Sequence, residues 1–110
     1  MESLSAALLI KSLDGLAARQ AVTAQNIANA GTPGYRPLRV TFENALAQAA
    51  SRGANAVREV EPAIVLSGAT DLRLDLELAT ASTTSMRYAA LIEVLGRRLQ
   101  LDGLAVTGSR

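Results

Sequence analysis

The 110-residue chain has no cysteine, no histidine and no tryptophan, and its aromatic side chains are two tyrosines and one phenylalanine. Without cysteine no disulfide forms, so a reducing and an oxidising compartment suit it equally. Without histidine it lacks the commonest metal ligand, the commonest general base and the usual near-neutral pH switch. The scarcity of aromatics removes the large fillers of a self-sufficient core and the stacking platforms of a single-strand nucleic-acid binder. No sign of charge is in excess either, with 11 basic residues against 10 acidic ones and a net charge of +1. The one basic pair, Arg97-Arg98, has Glu93 one turn before it and reads as a solvated helix face, so no nucleic-acid partner is expected. No apolar run exceeds the five residues of Ala6 to Ile10, against about 20 needed to span a bilayer. Glu2, Lys11 and Asp14 break the pattern of a cleavable secretory leader.

The same poverty argues against an enzyme. Serines, threonines, carboxylates and tyrosines are present, but nothing supplies an orienting base or a metal site. Ser82 to Ser85 reads as a patch of poor helix formers, and Glu59 and Glu61 flank Pro62 in an irregular stretch. Gly31 and Gly34 lack the Lys and Ser/Thr of a phosphate loop. No catalytic, cofactor-binding or metal-ligating residue is assigned, and no cofactor or small-molecule substrate is expected.

What is present is aliphatic: 49% of residues are hydrophobic, mostly Ala, Leu and Val. Three zones follow. In residues 1–30, Ala6, Leu9, Leu13, Leu16, Gln20, Ala24 and Ile27 recur at steps of three or four, predicting one long helix with Ser3 or Ser5 as its cap. Gly15 weakens its middle by roughly 1 kcal/mol relative to Ala. Residues 31–70 hold all three prolines, Pro33, Pro37 and Pro62, and read as an extended or irregular linker. It carries one short helix near 41–50, capped by Thr41, and Val57 to Leu66 is ambiguous. In residues 71–110, Leu74, Leu78, Ala81, Ser85, Tyr88, Ile92, Leu95 and Leu99 keep a four-three spacing that predicts a coiled-coil seam. Leu72, Leu76, Ala79, Thr83, Met86 and Ala90 lie beside it, Gly103 is the expected C-cap and Val106 to Arg110 a frayed tail. The expected fold is all-α, two long terminal helices forming a coiled-coil hairpin joined by a largely irregular linker. Leu9, Leu13, Leu16, Ile27, Leu78, Tyr88, Leu91, Ile92, Leu95 and Leu99 are its candidate assembly-interface residues.

The boundary of the first two zones reads "NIANAGTPGY". Asn26 and Asn29 lie in the last helical turn, where a side-chain amide bonds nearby backbone. Gly31 is expected to close the helix in the left-handed region. Pro33-Gly34 fits the centre of a type II turn, after which Tyr35 can pack its ring and bond through its hydroxyl. Any one of these dipeptides is ordinary; the string is not. Ala24, Asn26, Ile27, Ala28, Asn29, Ala30, Thr32, Pro33, Gly34 and Tyr35 resemble the N-terminal signature of bacterial flagellar basal-body rod and hook proteins. With "RPLRVTFENAL" following, the chain is most similar to the B-type proximal rod branch, and "MRYAALIEVLGRRLQL" resembles the family's closing helix. It departs from the family at Arg73 and at Thr84-Ser85.

The resemblance implies a structural subunit exported unfolded through the flagellar type III apparatus and stacked helically into a rod that crosses the periplasm and transmits motor torque. Its implied partners are copies of itself, other rod proteins, and ring or export-gate components at the rod base. Arg19, Arg39, Glu43, Arg87 and Glu93 are candidates for intersubunit ion pairs, each worth at most about 1 kcal/mol if exposed. A C-type rod paralogue and a soluble helical adaptor or secretion chaperone are the alternatives; an adaptor has no particular reason to keep "NIANAGTPGY". A peripheral membrane helix would have to rely on Lys11 and Arg19, too thin a basic face for anchoring.

Overall fold

The structure is a computed structural model that describes residues 3–68 and 71–108, the last five by backbone alone. The elements run α1 (Leu4–Ala28), β1 (Leu38–Thr41), α2 (Glu43–Ala50), α3 (Ala54–Arg58), β2 (Ala63–Leu66) and α4 (Leu74–Gly108). The two long terminal helices are there, but the fold is not purely all-α. β1 and β2 pair antiparallel, Leu38 facing Leu66, Arg39 facing Val65, Val40 facing Ile64 and Thr41 facing Ala63. Nor is the linker largely irregular, since it holds two short helices as well as the ribbon.

Ser3 starts α1 by accepting the Ala6 amide on its Oγ at 3.1 Å, which satisfies one of the orphan donors of a helix N-terminus. α1 and α4 have 25 and 35 residues, so they are about 37 and 52 Å long within a molecule of 63 × 26 × 13 Å. They run antiparallel. Arg98 meets Ser3, Ser85 meets Gln20 and Glu77 meets Asn26, so numbering rises along one helix as it falls along the other. α4 continues for ten residues past Arg98, to Gly108, with no stretch of α1 beside it.

α1 is the central element. It buries Ala7, Leu13, Gly15, Leu16, Val22, Thr23 and Asn26, with α4 on one side and the folded linker on the other. The linker contributes Val40, Phe42, Leu46, Ala49 and Val57 to the core. Gly15 is not merely a weak point: a Cβ there would lie 2.5 Å from the Phe42 ring. Arg19, one turn on, closes over the same ring with its guanidinium carbon 4.8 Å from the centroid. The absent side chain at position 15 is what lets the largest core residue of the linker sit on the helix.

Seating Phe42 also displaces the expected cap. Thr41 ends β1, Phe42 holds the N-cap position of α2, and no side chain caps that helix. Val57 belongs to α3, because the run up to Arg58 closes a helical turn before Pro62; only Ala63–Leu66, rich in β-branched and aliphatic residues, is extended. Gly31 does not end α1 in the left-handed region; among the described residues only Gly34 and Gly53 have positive φ. Gly103 is no C-cap, since α4 runs on to Gly108; the expected tail is therefore helical as far as it is described, Ser109 and Arg110 lying outside the described residues.

Candidate functional site

The residues of α4 that turn toward α1 are Glu77, Ala81, Thr84, Tyr88, Leu91, Leu95 and Arg98, all buried or half-buried. Their steps of four and three are those of a coiled-coil seam. This is not the stripe that apolar spacing selects. Ala81, Tyr88, Leu95 and Leu91 belong to it, whereas Leu74, Leu78, Ile92 and Leu99 stand 45%, 52%, 46% and 62% exposed. The seam is polar at both ends, so counting aliphatic positions places it one flank away.

The upper end is a closed hydrogen-bond node. Asn26 is fully buried and uses every donor and acceptor of its amide. Its Nδ2 donates to the Leu38 carbonyl at 2.9 Å and to Glu77 Oε2 at 3.0 Å. Its Oδ1 accepts the Leu38 amide at 3.0 Å and the Tyr35 hydroxyl at 2.9 Å. Glu77, 1% exposed, is held on its other oxygen by Arg39 at 2.7 Å. One side chain of α1 thus joins the turn, β1 and the first turns of α4, where a carboxylate also suits the helix dipole.

The turn delivers Tyr35 to this node. Asn29 ends α1, donating its Nδ2 to the Gln25 carbonyl and accepting the Thr32 hydroxyl. The Tyr35 amide donates to the Thr32 carbonyl at 3.2 Å, and Gly34 has φ +75°, so Thr32-Pro33-Gly34-Tyr35 is a type II turn. Ile27 is half-buried, and Ala28, Ala30, Thr32, Pro33 and Gly34 are exposed.

The lower end is simpler. Arg98 Nη2 donates to Ser3 Oγ at 2.6 Å, so the residue that caps α1 also pins α4. At mid-length Arg19 is bidentate to Glu43, at 2.7 and 2.8 Å, and donates to the Val40 carbonyl at 2.8 Å. The Arg19 bond holds the Glu43 carboxyl below its usual range, against a smaller opposing effect of burial. Arg39, Arg19, Glu43 and Glu93 therefore all have partners inside the chain, Glu93 with Arg97 at 3.0 Å; Arg87 is exposed.

Of the candidate interface residues, Leu13 and Leu16 lie in the chain's own core, Leu9, Ile27, Tyr88, Leu91 and Leu95 are half-buried, and Leu78, Ile92 and Leu99 are exposed. The exposed residues fall on two flanks of α4. Leu74, Leu78, Ile92 and Leu99 lie on one side of the inward stripe, and Leu76, Val94 and Leu101 on the other; Met86, 70% exposed, stands at the back. Sequence reasoning missed Glu77, Arg98 and Gly15, because each acts through a partner far away in the chain. Chemically the arrangement joins and aligns the two helices, the turn and the ribbon. Among the described residues no helix is long and apolar enough to cross a membrane.

Compared with known families, residues 13–36 match the model of the flagella basal body rod protein. The matched stretch runs from Leu13 through Gly15, Arg19 and Asn26 to the turn and Tyr35, so it holds the α1 half of the node and the seat of Phe42. No curated protein matches the chain.

Proposed function

We propose that the chain is a structural subunit of the bacterial flagellar basal-body rod, of the B-type proximal kind. It is exported through the flagellar type III apparatus and stacked helically with copies of itself and other rod proteins, next to ring or export-gate components at the base. There, in the periplasm, it transmits motor torque. The observation that carries this reading is the apolar surface of α4. α1 covers a single stripe, and a row of exposed aliphatic side chains remains on either side of it. Isolated exposed leucines are normal, but here they gather toward the two ends of α4, Leu74, Leu76 and Leu78 at one and Ile92, Val94, Leu99 and Leu101 at the other. Apolar clusters of that kind mark surfaces that other chains cover. A helix with rows on both sides suits a wall in which each subunit has a neighbour to its left and to its right.

The match over residues 13–36 supports the family half of this reading. The B-type assignment rests on "RPLRVTFENAL", which forms β1 and the start of α2 without an inserted domain. The pins at Asn26 and Arg98 suit a part that carries load, because they hold both ends of α1 to α4.

The test places a charge on one exposed flank of α4. Leu13→Asp would not serve, since Leu13 belongs to the subunit's own core. Leu78→Asp and Ile92→Asp change exposed positions, so both variants should keep wild-type helicity by circular dichroism. In a strain lacking the native copy, both should abolish swimming and incorporation into isolated basal bodies, because a buried unpaired carboxylate is costly. Normal swimming with both would refute the assignment.

A further inference from the structure

We propose that two copies of this chain, outside any helical stack, pair through β2 in a single antiparallel register centred on Val65. The two edges of the ribbon differ. The outer edge of β1 is closed by α1: the Leu38 amide and carbonyl bond the Asn26 side chain, and the Val40 carbonyl accepts from Arg19. Leu38 and Val40 therefore point away from β2. The Ser67 amide donates to the Pro37 carbonyl at 2.8 Å, so alternation directs the backbone groups of Val65 and Ala63 inward. The amides and carbonyls of Ile64 and Leu66 then face outward, and no hydrogen bond among the described residues engages them.

β2 packs chiefly against β1. Its side chains are open to solvent, Ile64 at 59%, Val65 at 42% and Leu66 at 54% exposure. Edge strands are normally blunted by a charge, an internal proline or a bulge; Ala63-Ile64-Val65-Leu66 has none. The spacing of the free groups indicates the occupant. Ile64 opposite the partner's Leu66, and Leu66 opposite the partner's Ile64, satisfy all four free donors and acceptors, with Val65 against the partner's Val65. Another copy supplies this complement without a slip of register, and neither strand carries a charge to repel the other. The ribbons become a four-stranded sheet. A contact between two four-residue strands is far below the standard interface of about 1,600 Å², so the pair is weak and exchanging. Its twofold symmetry closes on itself, which separates it from the contacts of a helical rod.

The absence of cysteine makes the test clean in the full-length chain. Val65 and its counterpart form a non-hydrogen-bonded pair with Cα atoms about 4.5 Å apart, inside the range a disulfide bridges. Ile64 and its counterpart are offset by two residues, about 7 Å along the strands, outside it. Under mild oxidation Val65→Cys should form a disulfide dimer at least about tenfold faster than Ile64→Cys. Val65→Lys should lose the dimer in sedimentation velocity while keeping wild-type circular dichroism. Equal rates for the two cysteine variants, no Val65→Cys dimer, or a Val65→Lys dimer would each overturn the pairing. Faster cross-linking of Ile92→Cys than of Val65→Cys would overturn it too, by showing that free copies meet along α4.

Discussion

Asn26 sits in the last turns of a helix, where its type is a mediocre helix former, and yet it is fully buried with four hydrogen bonds. Propensity gives way to partners supplied from Tyr35, Leu38 and Glu77. Asn26→Ala removes all four at once and leaves the Glu77 carboxylate and the Leu38 amide short of a partner. We expect a loss of roughly 3 kcal/mol, from the cost of unsatisfied buried groups, read as a lower urea midpoint with an unchanged slope. Glu43 offers a pH readout. Its folded pKa is depressed, first by the Arg19 hydrogen bond, so its contribution is complete above the unfolded carboxylate range and is lost as pH falls through the folded value. The native chain should therefore lose more stability than Glu43→Gln as pH falls from neutral to below the carboxylate range, in paired thermal melts. That Asn26 mattered was legible from the string around it. That Glu77 answers it was not, because the two are 51 residues apart and no local pattern links them.

Among the elements, the turn and the start of α1 were the most legible, because Ser3, Pro33 and Gly34 act on their own backbone. Gly34→Val together with Pro33→Ala puts a β-branched residue at φ +75°, a strain of about 1–2 kcal/mol. The variant should lose the near-ultraviolet dichroism of an immobilised Tyr35 and melt earlier, with helix content little changed; an unaltered tyrosine signal would show that the turn does not aim the ring. The ribbon was less legible. Pro37 marked the chain after it as extended but not as a paired strand, and β2 shares a run with the helical Val57, where four aliphatic residues alone do not separate strand from buried helix. The inward stripe of α4 was misplaced for a related reason. Apolar spacing found the aliphatic flanks, whereas a glutamate and an arginine mark the ends of the seam. Gly15 reads as a flaw only while α1 is taken alone, because the ring that needs its bare backbone, that of Phe42, comes from the linker.

At the scale of the whole molecule, stability should be uneven. α1 lies between two layers, and α4 is covered by it only as far as Arg98, which bonds the α1 cap. Amide hydrogen exchange in the dilute chain should protect residues 13–26 most and residues 99–108 least, since that stretch of helix runs on past the start of α1 and helix ends fray readily. Uniform protection along α4 would contradict the claim that it needs neighbours. The overhang has one more consequence. Because α4 outruns α1 at a single end, by about 15 Å, the piece has a bow and a stern. In the proposed stack a reversed plank would set unlike ends against each other, so the outline of each plank alone is enough to give the stack a polarity.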